Sequence, residues 1–297
     1  MGHNHDEVKG KNLVITIALN FIITIVEVIG GVLSGSLSLI SDALHNFSDG
    51  ISVVISYFAL RMAKKENTTK MTFGYKRAEI IAALFNAAVL VIISVFLFKE
   101  AYLRLVNPEP IKGLTMILVA LVGLTANTIS VFLLKKGAKD SVNIKSAYIH
   151  LLSDAFSSIG VVIGGLMIYF YDVYWIDPLL TIIIGVYIMI ESIKIIIDTV
   201  KILMEAVPDD IDVQEIKDEV TNLNYISDIH HLHFWQVSDN DLHLECHINL
   251  NQDLKLTKTK EIREEVIDIL NNKFGINHVT MQLEYDCCPQ VGLIKQR

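Results

Sequence analysis

Six long apolar stretches constrain this chain more than anything else in it. They run roughly Leu13–Leu33, Leu37–Met62, Glu79–Leu105, Ile111–Leu134, Val142–Tyr171 and Pro178–Leu203. A hydrocarbon layer about 30 Å thick is crossed by a helix of about 20 apolar residues. Inside lipid, a helix is the one single-segment structure that satisfies its own backbone. Hydrophobic residues make up 52% of the 297, and most of them are gathered in these stretches. The chain therefore reads as an α-helical membrane protein with six transmembrane helices, not as one aqueous core.

The loops carry an uneven charge. Arg61 at the end of the second stretch and Lys64, Lys65, Lys70, Lys76 and Arg77 after it flank the second-to-third loop, and Lys135, Lys136 and Lys139, with Lys145 at the start of the fifth stretch, flank the fourth-to-fifth. The first-to-second turn is uncharged, and the fifth-to-sixth loop has only Asp172 and Asp177. Basic loops stay on the cytoplasmic side, which puts both termini in the cytoplasm. The third-to-fourth loop is mixed and carries less weight.

Near Pro208 the composition changes. Asp209-Asp210-Ile211-Asp212 reads as a helix start, with carboxylates at the positive end of the dipole. Ile211–Leu223 follows as an amphipathic helix, Ile229–Val237 and Leu242–Leu250 as strands, Leu256–Phe274 as a second helix and Val279–Tyr285 as a third strand. This α-β-β-α-β order predicts a small α+β, ferredoxin-like domain with its helices on one face of a three-stranded sheet. The expected division is 1–12 as an N-terminal tail, 13–204 as the membrane domain and 205–297 as the soluble domain.

Other classes drop out. A net charge of −8 gives no reason to expect nucleic-acid binding, and without a phosphate-cradling glycine loop ATP drive has no support. Nothing points to an organic cofactor. Cys246, Cys287 and Cys288 are the three cysteines; an adjacent pair is poor disulfide material and suits metal binding or a reducing compartment.

Ionisable groups within membrane helices cost about 3 kcal/mol each on insertion scales, so they need a reason. The second stretch carries Asp42, His45 and Asp49, and the fifth carries His150 and Asp154. His45 and Asp49 lie one turn apart on one helical face, and His150 and Asp154 repeat that spacing. If the two helices face each other, two imidazoles and two carboxylates converge as a tetrahedral set of a kind zinc and cobalt accept. Asp42, one turn before His45, reads as an outer-shell group, a proton relay or a capping residue.

Several segments together resemble the cation diffusion facilitator family across nearly the whole chain. They are Ser41-Asp42-Ala43-Leu44-His45-Asn46-Phe47-Ser48-Asp49, Thr72-Phe73-Gly74-Tyr75-Lys76-Arg77-Ala78-Glu79, Ala147-Tyr148-Ile149-His150-Leu151-Leu152-Ser153-Asp154, Asp177-Pro178, and Asp228-Ile229-His230-His231-Leu232-His233-Phe234-Trp235. The resemblance implies a homodimer in the bilayer that exports Zn2+ from the cytoplasm by alternating access in exchange for protons. Co2+, Cd2+ and Ni2+ are further candidate substrates, and a bacterial cell membrane the expected location. It also implies a metal-binding, dimerising soluble domain whose matched ligands are His230, His247 and Glu284, with Cys287 and Cys288 in the same cluster and zinc as a regulatory ligand. An Arg77–Glu205 charge pair is expected to anchor the membrane domain to the soluble one. The chain departs from the family pattern where Met71 precedes Thr72: that loop has no His or Cys, so no loop metal site is expected.

Two other functions are alternatives for such a chain. A membrane-embedded zinc hydrolase needs an open coordination position and a general base; a His2Asp2 set leaves no such position, and no His-Glu-x-x-His appears. A passive divalent-metal channel differs from an antiporter in its indifference to a pH gradient.

Overall fold

The computed structural model describes residues 3–135, 142–238, 241–287 and 292–294, with side chains for all of these except 3–14, 53, 56, 142–144 and 146. It forms two compact units, Met1–Phe58 with Phe85–Ile196, and Ala59–Leu84 with Ile197–Arg297.

The first unit is built from α1 (His3–Ser34), α2 (Leu37–Ala63), α3 (Ala78–Val106), α4 (Gly113–Leu134), α5 (Val142–Tyr171) and α6 (Ile176–Leu203), the last residues of α2 and α6 and the first of α3 falling in the second unit. These bounds follow the apolar stretches closely. The exception is α1, which starts ten residues before Leu13. Among the described residues five helices are long and apolar enough to cross a membrane, and α2 is not one of them. At 27 residues, or about 40 Å, it has the length. Its apolar character is diluted by a polar face that includes the buried Ser38, Ser41, Asp42, Asn46 and Ser48.

Outward-facing residues of these helices are large and apolar, Phe85, Phe96, Phe132, Phe156 and Phe170 among them. Such a surface suits lipid. Inward, Leu39, Leu90, Met116, Ala120, Val161, Ile168 and Ile188 form a shared core drawn from α2 to α6. Gly35, at φ +78°, makes the tight reversal from α1 to α2, a backbone conformation that glycine adopts without a steric cost. The exposed N–H groups that start α2 are met by Asp177 from the start of α6. Its carboxylate accepts from Leu37 N at 2.7 Å, Ser38 N at 3.1 Å, and the hydroxyls of Ser36 and Ser38 at 2.6 Å each. Asp177 is fully buried, and four donors together with the positive end of α2 hold its charge there.

The soluble part of the second unit is α7 (Val213–Thr221), β1 (Ile226–Ser238), β2 (Asp241–Leu250), α8 (Leu256–Phe274) and β3 (His278–Tyr285), the α+β order read from the sequence. Asp212 caps α7 by accepting from Gln214 N at 2.8 Å. The sheet order is β1-β2-β3. β1 and β2 pair antiparallel through a short turn, while β2 and β3 pair parallel, with α8 as the crossover that a parallel pair requires. Ile216 and Val220 of α7 and Ile262, Val266 and Leu270 of α8 pack on Ile229, Phe234, Leu244, Cys246 and Ile248. Each large side chain buried this way contributes about 1.5–3 kcal/mol. Burial pushes the Cys246 thiol up to about 12, so this cysteine is an inert core residue.

Candidate metal centres

Four polar side chains from α2 and α5 meet inside the first unit. His150 Nε2 lies 2.9 Å from Asp49 Oδ2, and His45 Nε2 lies 3.5 Å from the same oxygen. Asp154 faces both rings, with Oδ1 at 3.7 Å from His45 Nε2 and Oδ2 at 3.7 Å from His150 Nε2. Ligand atoms about 2.0–2.1 Å from a tetrahedral zinc stand about 3.3 Å from one another, and the four measured separations bracket that value. The imidazoles meet edge to face, with centroids 5.5 Å apart. Neither ring nitrogen of the largely buried His45 has a hydrogen-bond partner among the described residues. An orphaned buried nitrogen is costly unless an ion, a water or a proton satisfies it. The surroundings grade from closed to open: the side chain of Asp154 is 5% exposed and those of Asp49 and His150 are 26% and 39% exposed.

A second cluster lies on the sheet of the second unit. His247 Nδ1 is 2.8 Å from Glu284 Oε1, and His230 Nε2 is 3.4 Å from Glu284 Oε2. His230 and His247 are direct partners across β1 and β2. His230 is buried and neither of its ring nitrogens has a hydrogen-bond partner, so two nitrogens and a carboxylate are arranged as a metal would require. A register shift between His230 and His233, with His231 at φ +51°, breaks the alternation of β1 here; this bulge sets His230 beside His247. Asn249 Nδ2 donates to Cys287 O at 3.0 Å, which brings the chain after β3 back to β2. Cys287 is disulfide-bonded, contrary to the expectation that an adjacent cysteine pair stays reduced. Cys288 lies outside the described residues, as do the side chains of His3 and His5.

Comparison with known proteins gives both centres a context. Residues 13–204 match the cation efflux transmembrane domain, and residues 208–286 match the cytoplasmic domain of cation efflux proteins. The chain belongs to the cation efflux family. Metal cation efflux system protein CzcD of Cupriavidus metallidurans is 36% identical over 291 residues, 97% of this chain and 92% of that protein. A cadmium, cobalt and zinc/H(+)-K(+) antiporter of Bacillus subtilis is 35% identical over 290 residues, covering 96% and 92%. Zinc transporter ZitB of Yersinia pestis is 32% identical over 292 residues, covering 96% and 91%. This cation efflux protein is thus a multi-pass membrane transporter of metal cations, and not an enzyme.

The remaining expected residues take these places. Asp42 is buried and accepts from Ser157 Oγ at 3.4 Å. Arg77 Nη2 is 3.1 Å from Glu205 Oε1 within one chain, with the Glu205 side chain 61% exposed. The adjacent Lys76 pairs with Asp241 at 2.5 Å, and Phe73 meets the His243 ring edge to face at 5.4 Å. His243 also stacks with Trp235 and lies against His278, so the Thr-Phe-Gly-Tyr segment covers the polar side of the sheet near the β1–β2 turn. Sequence reasoning missed one group, the buried Glu27 of α1. Its signal was present all the same: it is the one charged residue within Ile15–Ser34.

Proposed function

We propose that this transporter is a homodimeric, proton-coupled antiporter that exports Zn2+ from the cytoplasm, with Co2+, Cd2+ and Ni2+ as further substrates. The observation that carries this reading is the cluster of His45, Asp49 and His150, with one ligand atom from each within 4.8 Å of the others, and Asp154 beside it, one carboxylate oxygen 3.7 Å from each imidazole. Two nitrogens and two oxygens without sulfur suit zinc and its neighbours, not copper(I). The names of the relatives, which include zinc, cobalt, cadmium and protons, support the same substrates. Imidazole must lose its proton to coordinate. Metal and proton therefore compete for the same nitrogens, and exchange needs no covalent chemistry. Both termini are cytoplasmic, and a second zinc at His230, His247 and Glu284 acts as a regulatory ligand that stabilises the soluble domain.

The test is transport by purified protein in liposomes, with a panel of divalent metals and an imposed pH gradient. Zinc flux should follow the gradient and vanish in Asp49→Ala and Asp154→Ala. Wild-type flux in both variants would remove the four-ligand site, and flux indifferent to the gradient would indicate a channel.

A further inference from the structure

One face of α1 is polar although the helix is otherwise apolar. Thr16, Asn20, Thr24 and Glu27, at spacings of four, four and three, share that face. Thr16, Thr24 and Glu27 are buried. Thr24 Oγ1 donates to Asn20 O at 2.9 Å. Thr16 Oγ1, Asn20 Oδ1 and Glu27 Oε1 are buried with no hydrogen-bond partner among the described residues. The other Glu27 oxygen, Oε2, accepts from Asn46 Nδ2 of α2 at 3.0 Å, and Asn46 Oδ1 is itself without a donor. Asn20 Oδ1, Glu27 Oε1 and Asn46 Oδ1 are thus unpartnered acceptors, set against two unpartnered donors, the Thr16 hydroxyl and Nδ2 of the buried Asn127 on α4; the acceptors remain in surplus, and a surplus that includes a carboxylate oxygen calls for a cation or a proton.

Space decides between them. Gly123 of α4 stands directly against Glu27: a Cβ at that position would lie 2.6 Å from Oε1. A divalent ion with its ligand shell does not fit on that side, whereas a proton does. The charged groups that act on Glu27 are Asp42 and His45 of α2 and Asp154 of α5, while α4 presents Gly123 and, one turn on, the buried and uncharged Asn127. Glu27 thus senses the charge at the metal centre without belonging to the ligand set.

We propose that Glu27 is a proton-binding site of the exchange, and that the α1 stripe of Thr24, Asn20 and Thr16 is its path toward the N-terminal end of that helix. The inference rests on the proton-coupled reading above. A divalent ion arriving at His45 and Asp154 brings positive charge close to Glu27. The carboxyl O–H then breaks, the proton leaves along the stripe to water, and a carboxylate remains beside the filled metal site. Successive stripe groups stand about one helical turn apart, about 5.4 Å, a gap that one water bridges.

The test uses the full-length protein. Calorimetric zinc titration in two buffers of different ionisation enthalpy gives the protons released per zinc, and liposome flux gives the response to a pH gradient. Glu27→Gln should bind zinc, release fewer protons by about one, and lose most of the gradient response. Gly123→Ala crowds Oε1 without changing charge and should show a partial loss; it decides the matter if Glu27→Gln does not fold. Wild-type proton release in both variants overturns the assignment of Glu27. If wild-type protein itself releases no protons and ignores the gradient, the proton-coupled reading fails, and this proposal with it.

Discussion

Replacing Asp154 by Asn keeps the shape of the side chain and removes its charge. Structural zinc sites with four ligands have apparent binding free energies of about 10–16 kcal/mol, or about 3 kcal/mol per ligand, so losing one weakens affinity about a hundredfold. The structure predicts that Asp154 and Asp49 will differ. Asp154 is 5% exposed and faces both imidazoles at 3.7 Å, so water cannot easily take its place. Asp49 is 26% exposed, and a water that fills the vacated position should limit the loss to about tenfold. Zinc titration of purified Asp154→Asn and Asp49→Asn at one pH gives both values. Wild-type affinity in Asp154→Asn, or a larger loss in Asp49→Asn, would refute the argument from burial.

The Arg77–Glu205 pair is exposed and should add under about 1 kcal/mol to stability; if it couples the loop to the soluble domain, Arg77→Glu and Glu205→Arg should each impair liposome transport and together restore it. Zinc at a hundred times its dissociation constant should stabilise the soluble domain by about 2.7 kcal/mol. Glu284→Gln should reduce the accompanying rise in melting temperature, and an unchanged rise would exclude Glu284 as a ligand. Acidification should loosen the Thr-Phe-Gly-Tyr segment. Burial, against the opposing pull of Asp241, holds the His243 imidazole below its ordinary value. The unfolded chain therefore takes up a proton first, and stability falls as pH drops through about 6.5. Burial raises the Asp241 carboxyl, but Lys76 and His243 outweigh it and hold it below the usual range, so its contribution is lost in the same direction at lower pH. Hydrogen exchange of residues 72–77 at pH 7 and pH 5 measures this, and His243→Phe should remove the step near neutrality.

The helices of the membrane domain were legible because a bilayer imposes a length and an apolar content that few other structures meet. The candidate ligand cluster was legible because His-x-x-x-Asp occurs on two helices, although spacing alone did not say that α2 and α5 face each other. Glu27 escaped notice because it has no partner at helical spacing within α1; its hydrogen bond goes to Asn46, nineteen residues away on α2. The direction of His230 was unreadable for a different reason: the bulge at His231 interrupts the period of two, and the register that places it beside His247 depends on β2. The contacts of Phe73 with His243 and of Lys76 with Asp241 join segments more than 160 residues apart, and no local pattern announces them.

The knot of hydrogen bonds around Asp177 has a mechanical consequence. It fastens the first turn of α2 to the first turn of α6, and Arg104 Nη1 donating to Gly35 O at 2.5 Å secures the adjoining reversal. α2 is thus a lever pinned at one end, and any tilt must turn about Leu37. Asp49 sits twelve residues along that lever, about 18 Å from the pin. A swing of about 10° there displaces its carboxylate by about 3 Å, comparable to the separations between the ligand atoms. If α2 tilts in the transport cycle, a small rotation at that fulcrum is enough to change the separations within the candidate metal site, while the turn at Gly35 moves little.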